Sequence, residues 1–70
     1  MIFIFKTSVQ SKSEVLKLKP YIEDIVKDGI WNFDLEDSDK IFRVETQMDI
    51  YDSIISLFNK EGFLCEELED

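Results

Sequence analysis

Residues 7–14 read TSVQSKSE and separate two different hydrophobic patterns. From Met1 to Val9, β-branched and aromatic residues alternate, with Phe3 and Phe5 on one side of the chain and Ile2, Ile4 and Lys6 on the other, which is typical of a β-strand. After residues 7–14, apolar residues recur every three or four positions, the period of a helix with one buried face. These residues are Val15, Leu18, Ile22, Ile25 and Val26. The chain is therefore predicted to open with a strand, a polar turn and a helix over about Ser11–Lys27.

Two residues affect how that helix runs and ends. Pro20 lies inside it, lacks an amide donor and crowds the preceding turn, so we expect a bend or a locally widened turn there. Gly29 follows the helix, and glycine at such a place commonly adopts the left-handed conformation that stops a helix. The sequence thus predicts a bent first helix that stops at Gly29.

The middle of the chain has the pattern of a β-hairpin. Apolar and polar residues alternate over Trp31–Glu36 and again over Lys40–Glu45, which favours two half-buried strands. Between them lies Asp37–Asp39, whose short polar side chains form turns by hydrogen bonding to their own backbone. We therefore expect the second and third strands to pair directly.

The last third of the chain adds a helix and a strand. The predicted helix starts at Thr46 or Asp49 and stops at Gly62, and Phe63–Leu68 predicts a fourth strand before an acidic, solvated tail. One face of that helix carries Met48, Tyr51, Ile54, Ile55 and Phe58. The order βαββαβ predicts one domain over residues 1–70 with an α+β ferredoxin-like fold, in which a four-stranded antiparallel sheet carries both helices on one face.

The composition is that of a strongly acidic soluble domain. Sixteen Asp and Glu residues against eight Lys and Arg residues give a net charge of −8, which opposes binding to nucleic acid and to anionic membranes. No apolar run approaches the roughly 20 residues needed to cross a bilayer, and the first apolar segment is too short for a signal peptide. We expect a cytoplasmic domain that binds no nucleic acid and inserts into no membrane.

Several short segments match, in order and spacing, the pattern of a known family. They are Phe5–Thr7 before the turn, Gly29–Ile30 and Phe33–Asp37 around the second strand, Asp39–Glu45 in the third, and Lys60–Phe63 before the fourth. Through these segments nearly the whole chain resembles the heavy-metal-associated domain of copper chaperones and metal-pumping ATPases. The resemblance implies the same βαββαβ architecture and a metal loop between the first strand and the first helix.

That family's metal loop reads Met-x-Cys-x-x-Cys, and here the corresponding residues are Val9, Ser11 and Glu14. A hydroxyl and a carboxylate do not replace two thiolates toward Cu(I), because soft metals select sulfur ligands. Zinc sites built from Cys and His are excluded as well, since the chain has no histidine and only Cys65. The resemblance also assigns Lys60 to a lysine that balances the charge of the metal-bound thiolates. We therefore expect no metal and no other cofactor.

The same turn has a structural interpretation. Ser11 followed by Glu14 fits a capping box, in which each side chain satisfies an amide at the helix start and is typically worth roughly 1 kcal/mol. The alternative is a weak hard-cation site that uses Glu14 and Glu61, although two carboxylates fall short of the roughly 6 to 8 oxygen ligands that Ca²⁺ prefers.

Three further features have both a structural and a functional interpretation. The acidic run lacks the glycine and the terminal glutamate of a calcium loop, so we interpret it as a solvated hairpin. Cys65 shares its strand side with Phe63, which favours a buried thiol over a redox or modification site. Trp31 is either part of the core at the sheet edge or an anchor for a partner. The acidic run consists of Asp34, Glu36, Asp37 and Asp39.

Strand parity also predicts isoleucines on the side of the sheet without helices. They are Ile2, Ile4, Ile30 and Ile41. Scattered surface hydrophobes are normal, whereas a contiguous patch marks a surface for self-association or for a partner protein. By the resemblance, the first turn and Lys60 form a second candidate docking surface.

The sequence contains no catalytic constellation: it lacks histidine, a glycine-rich phosphate loop and a base beside a nucleophile. We predict a non-enzymatic protein-interaction or accessory module that retains a metal-domain scaffold without the thiolate ligands. Two other hypotheses stay open: residual metal binding or trafficking through oxygen ligands, and a small-molecule-sensing domain of the same topology. The lack of a glycine-rich turn after the first strand argues against the last of these.

Overall fold

The computed structural model describes residues 1–36 and 38–68, and the strands in this part form one antiparallel sheet in the order β2-β3-β1-β4. The elements are β1 Ile2–Thr7, α1 Lys12–Ile25, β2 Ile30–Asp34, β3 Ile41–Glu45, α2 Tyr51–Lys60 and β4 Cys65–Glu67. The element order and the strand order together confirm the predicted ferredoxin-like α+β fold.

The core lies between one face of this sheet and both helices. Side chains alternate along each strand, so the residues of odd number in β1 face the helices while those of even number face away. Both helices bury residues in the same cluster, which places them on the same face of the sheet, as predicted. The fully buried members are Phe5, Val9, Leu18, Ile22, Phe42, Val44, Ile54 and Phe58.

The first helix is shorter than the predicted range. Ser11 is its N-cap residue and Val26 its C-cap residue, and the amide of Val26 donates to the carbonyl of Ile22 at 2.8 Å. The chain remains α-helical on both sides of Pro20. That side chain is exposed, so water can bond to the carbonyl that the missing amide leaves unpaired.

The role predicted for Gly29 is wrong. α1 ends at Ile25, and the glycine with a left-handed backbone is Gly62, with φ of 89°. A Cβ atom at position 29 would lie 2.5 Å from the carbonyl oxygen of Glu45 and 2.7 Å from Cγ1 of Val26. Position 29 therefore requires glycine because β2 begins in close contact with the end of β3. The stop predicted at Gly62 follows α2 as expected.

The second helix starts later than predicted. Thr46 Oγ1 accepts a hydrogen bond from the Met48 amide at 3.3 Å, and Asp49 Oδ1 accepts one from the Tyr51 amide at 3.2 Å. The Thr46 bond closes a turn before the helix, whereas the Asp49 bond reaches the first residue of α2. Met48, predicted on the buried helical face, lies outside α2 and is 54% exposed, while Ile50 takes the core position at 3%.

The strands are also shorter than predicted. β2 ends at Asp34, and β4 begins at Cys65 rather than at Phe63, whose amide instead donates to the carbonyl of Phe58 at 2.8 Å. Trp31 is half-buried against the core. The predictions that concern Asp37 and the last two residues, 69–70, lie outside the described residues.

Substituting Gly29 tests the close contact between β2 and β3. We expect Gly29→Ala to lower the free energy of unfolding by about 1–3 kcal/mol, because the new Cβ must displace backbone and packed side chains. Urea denaturation measures the effect. Asp28→Ala, at an exposed neighbouring position, should change stability by less than about 0.5 kcal/mol. Equal midpoints for Gly29→Ala and the wild type would contradict the role of this contact.

Candidate functional site

The two residues at the predicted metal-ligand positions cap α1. Ser11 has an extended backbone, and its Oγ accepts a hydrogen bond from the Glu14 amide at 3.4 Å. Glu14 Oε1 in turn accepts one from the Gln10 amide at 2.7 Å. This is a variant of the capping box in which the carboxylate reaches one residue beyond the N-cap. Both oxygen groups therefore satisfy amides at the start of the helix.

The rest of the first turn is bound to neighbouring segments by hydrogen bonds of two side chains to which the sequence alone assigned no role. Thr7 Oγ1 donates to the carbonyl of Lys40 at 2.7 Å and accepts from the amide of Val9 at 3.2 Å. Ser8 Oγ accepts from the amide of Leu64 at 2.8 Å, while the Ser8 amide donates to the carbonyl of Leu64 at 3.2 Å. The turn is thus held by side-chain hydroxyls and by the fully buried Val9.

The other predicted ligand and docking residues lie at the end of α2. Lys60 is the exposed last residue of α2, and Glu61 is its C-cap residue, whose amide donates to the carbonyl of Leu57 at 3.0 Å. Across residues 1–36 and 38–68, no group of three or more His, Cys, Asp or Glu side chains could hold a metal ion. The carboxylate of Glu14 serves the cap described above.

Cys65 is half-buried at the start of β4. Burial raises the pKa of its thiol from 9.0 to about 12, so the reactive thiolate is scarce at neutral pH. In the unfolded chain the thiol ionises with its ordinary pKa of 9.0, which is below its pKa in the folded protein. The stability that comes from keeping the thiol neutral is therefore complete below pH 9 and is lost as the pH rises toward 12. This environment suits a packed thiol better than a redox centre.

The side of the sheet away from the helices, here called the open face, carries the four isoleucines. Ile2 is 64% exposed and Ile30 is 73% exposed, while Ile4 and Ile41 are half-buried. The strand register places a charged or polar residue beside each isoleucine on the neighbouring strand, while Ile2 and Ile4 follow one another along β1. Across the sheet, successive rows read Ile30, Glu45, Ile2; then Asn32, Arg43, Ile4; then Asp34, Ile41, Lys6, Glu66.

The open face is therefore amphipathic rather than uniformly apolar. A shallow depression of about 270 Å³ at its centre is lined by both kinds of residue, including Ile4, Ile41 and Arg43. At its margin, Nζ of Lys6 lies 3.7 Å from Oδ1 of Asp39. Such a surface can combine apolar burial with charge pairing to a partner.

No protein-family model, curated protein or solved structure matches this chain. In the described part of the chain, neither helix has the length and apolar character needed to span a bilayer.

Removing the Ser11 hydroxyl tests its assignment as a helix cap. We expect Ser11→Ala to lower the free energy of unfolding by about 1 kcal/mol, because one amide of the first turn loses its acceptor. Ser56→Ala makes the same chemical change at an exposed site inside α2, where alanine is the better helix former. Thermal or urea unfolding should show a loss only for Ser11→Ala. An unchanged midpoint for that variant would rule out the cap.

Proposed function

We propose that this chain is a small, non-enzymatic protein-interaction or accessory module whose open face binds a partner protein or a second copy of the chain. The observation that carries the proposal is the exposure of Ile2 and Ile30 on a sheet face that neither helix covers. Burying both side chains in an interface would contribute on the order of 2–4 kcal/mol. That is enough to favour association when the surrounding polar groups are paired.

The charges of the open face support the same proposal. Basic Lys6 and Arg43 lie among acidic side chains there, whereas the chain as a whole carries a net charge of −8. Most of the acidic excess therefore lies elsewhere, and repulsion opposes contact less on this face than on the rest of the surface. The acidic members of the open face are Asp34, Glu45 and Glu66.

We further propose that the chain is a divergent, cytoplasmic member of the heavy-metal-associated family. The ferredoxin-like fold is compatible with this assignment, although many unrelated functions use the same fold. The use of Ser11 and Glu14 in the helix cap supports an interaction role over residual metal trafficking, because binding a cation there would compete with the cap. A small-molecule-sensing role has less support, since it relies on the shared topology alone.

Substitutions on the central strand test the open face. We expect Ile2→Thr/Ile4→Thr to abolish association, because it removes apolar contact area while keeping β-branched side chains in the strand. Sedimentation equilibrium from micromolar to millimolar concentration measures self-association. Retention of proteins from an extract of the source cells on the immobilised domain measures partner binding. Leu16→Gln is the matched control, since Leu16 is 64% exposed on α1, as Ile2 is on β1.

The wild type and Leu16→Gln should behave alike, and circular dichroism should confirm that the double variant remains folded. If the folded double variant associates with itself and retains proteins as the wild type does, the open face is not the binding surface. If the wild type, the double variant and Leu16→Gln all fail to self-associate and to retain a partner, the proposal of an interaction module is wrong.

A further inference from the structure

The hydrogen-bond pattern of the sheet identifies which backbone groups of β2 face away from β3. Met1 and Thr46 exchange both of their backbone bonds, with N–O distances of 2.7 and 2.9 Å. In an antiparallel sheet, successive residues of a central strand bond alternately to the strands on its two sides. Thr46 and every second residue before it in β3 therefore bond to β1, while the residues between them, such as Arg43, bond to β2. Arg43 lies opposite Asn32, so the N–H and C=O of Asn32 point into the sheet.

Trp31 and Phe33, the neighbours of Asn32, consequently direct their backbone N–H and C=O groups outward. β2 is an edge strand, and no hydrogen bond from another described residue reaches these outward groups of Trp31 and Phe33. Open edges of this kind accept a further strand. The backbone geometry therefore provides a template for strand addition.

A groove runs between this edge and the first turns of α1. It has a volume of about 490 Å³, and its apolar lining comes from Val15, Phe33 and Leu35, with Lys12 and Glu36 also at its surface. A strand added to the edge would direct alternate side chains into the groove, which is how an extended peptide gains side-chain specificity. The edge and the groove together thus offer both parts of a peptide-binding site.

The charge of this region selects the partner. Acidic Asp34 and Glu36 line the groove with basic Lys12, which gives it an acidic excess in a chain of net charge −8. A second copy of this chain would bring a further eight negative charges, and repulsion would oppose edge-to-edge pairing. A peptide with basic side chains is attracted instead.

We propose that the outward backbone groups of Trp31 and Phe33 on β2 and the groove beside α1 bind an extended cationic peptide segment by strand addition, with apolar side chains of the segment in the groove. This proposal rests on the proposed function only in that the chain is a protein-binding module, because it uses a different surface from the open face. The segment belongs to a partner protein in which basic and apolar residues alternate.

A synthetic probe tests the proposal directly. The probe is a capped octapeptide in which valine and lysine alternate, and the readout is amide hydrogen exchange by NMR together with the fluorescence of Trp31, the single tryptophan. In the free protein, the amides of Trp31 and Phe33 should exchange faster than that of Asn32. Saturating probe should slow both exposed amides about tenfold or more, as expected for newly formed backbone hydrogen bonds.

Control peptides separate strand addition from charge attraction alone. Replacing lysine by glutamate in the probe should abolish binding, and methylating alternate peptide nitrogens on its pairing side should do the same, because the donors to β2 are lost. Equal binding of the glutamate or the methylated peptide would overturn the proposal. Protection of Trp31 and Phe33 that rises with protein concentration without any probe would assign the edge to a second copy and would also overturn it.

Variants of the protein locate the site. Glu36→Lys should weaken binding about two- to fivefold, the size expected for losing an exposed charge pair. Glu67→Lys makes the same change of charge on β4, at the opposite edge of the sheet, and should leave affinity nearly unchanged. Val15→Gln should weaken binding about tenfold by removing apolar contact in the groove. Equal affinity for the wild type and both groove variants would contradict the assignment.

The open-face variant keeps the two proposals distinguishable. Ile2→Thr/Ile4→Thr changes the central strand β1 and leaves the β2 edge intact, so it should bind the probe like the wild type. If the probe does not bind and the open-face variant still loses partner binding, only the proposal of a peptide site in the groove is wrong. If the probe binds at the β2 edge and the open-face variant keeps partner binding, only the proposal of the open face as a binding surface is wrong.

Discussion

The position of Phe42 in the central strand β3 constrains the whole arrangement of layers. Its fully buried ring lies 4.6 Å from Phe33 on the edge strand and 5.4 Å from Phe58 on α2, measured between centroids. It also lies 6.0 Å from both Phe5 on β1 and Trp31 on β2. Because aromatic rings bury large areas and prefer these offset and tilted geometries, this cluster fixes two strands and one helix relative to β3.

That single core leaves two surfaces of the sheet without cover. The helices use the odd-numbered side of β1, so the even-numbered side, with Ile2 and Ile4, faces solvent or a partner. The same strand order leaves the outward backbone groups of Trp31 and Phe33 at an edge. Both proposed binding surfaces are therefore consequences of the way in which a chain of 70 residues closes its core.

Much of the fold follows from sequence periodicity. Alternation in β1 and β3 and the three-to-four-residue spacing from Val15 to Val26 predict the elements and their order, because these patterns report which side of each element is buried. Turn chemistry predicts element ends less well. Thr46 and Asp49 are both good helix-start residues, yet α2 begins at Tyr51, and only the Asp49 side chain bonds to an amide of the helix. Gly29 is explained by a contact with β3 that is distant in sequence.

The candidate site could be predicted only in part, because contacts between segments distant in sequence leave no local pattern. The capping role of Ser11 and Glu14 is local and could be inferred from their spacing. The interleaving of isoleucines with charged residues on the open face depends on strand register, which a one-residue slip would change completely. The hydroxyl bonds of Thr7 and Ser8 to Lys40 and Leu64 join distant segments, so no local pattern indicates them.

We propose that the first turn uses its oxygen atoms to cap a helix rather than to bind a metal. A competition titration of the purified domain and its Cys65→Ala variant with Cu(I), against a chromophoric chelator, distinguishes these two roles. We expect no site tighter than micromolar in either protein, because neither has a pair of thiolates in the turn. Submicromolar binding that persists in Cys65→Ala and is lost in Glu14→Gln would contradict it.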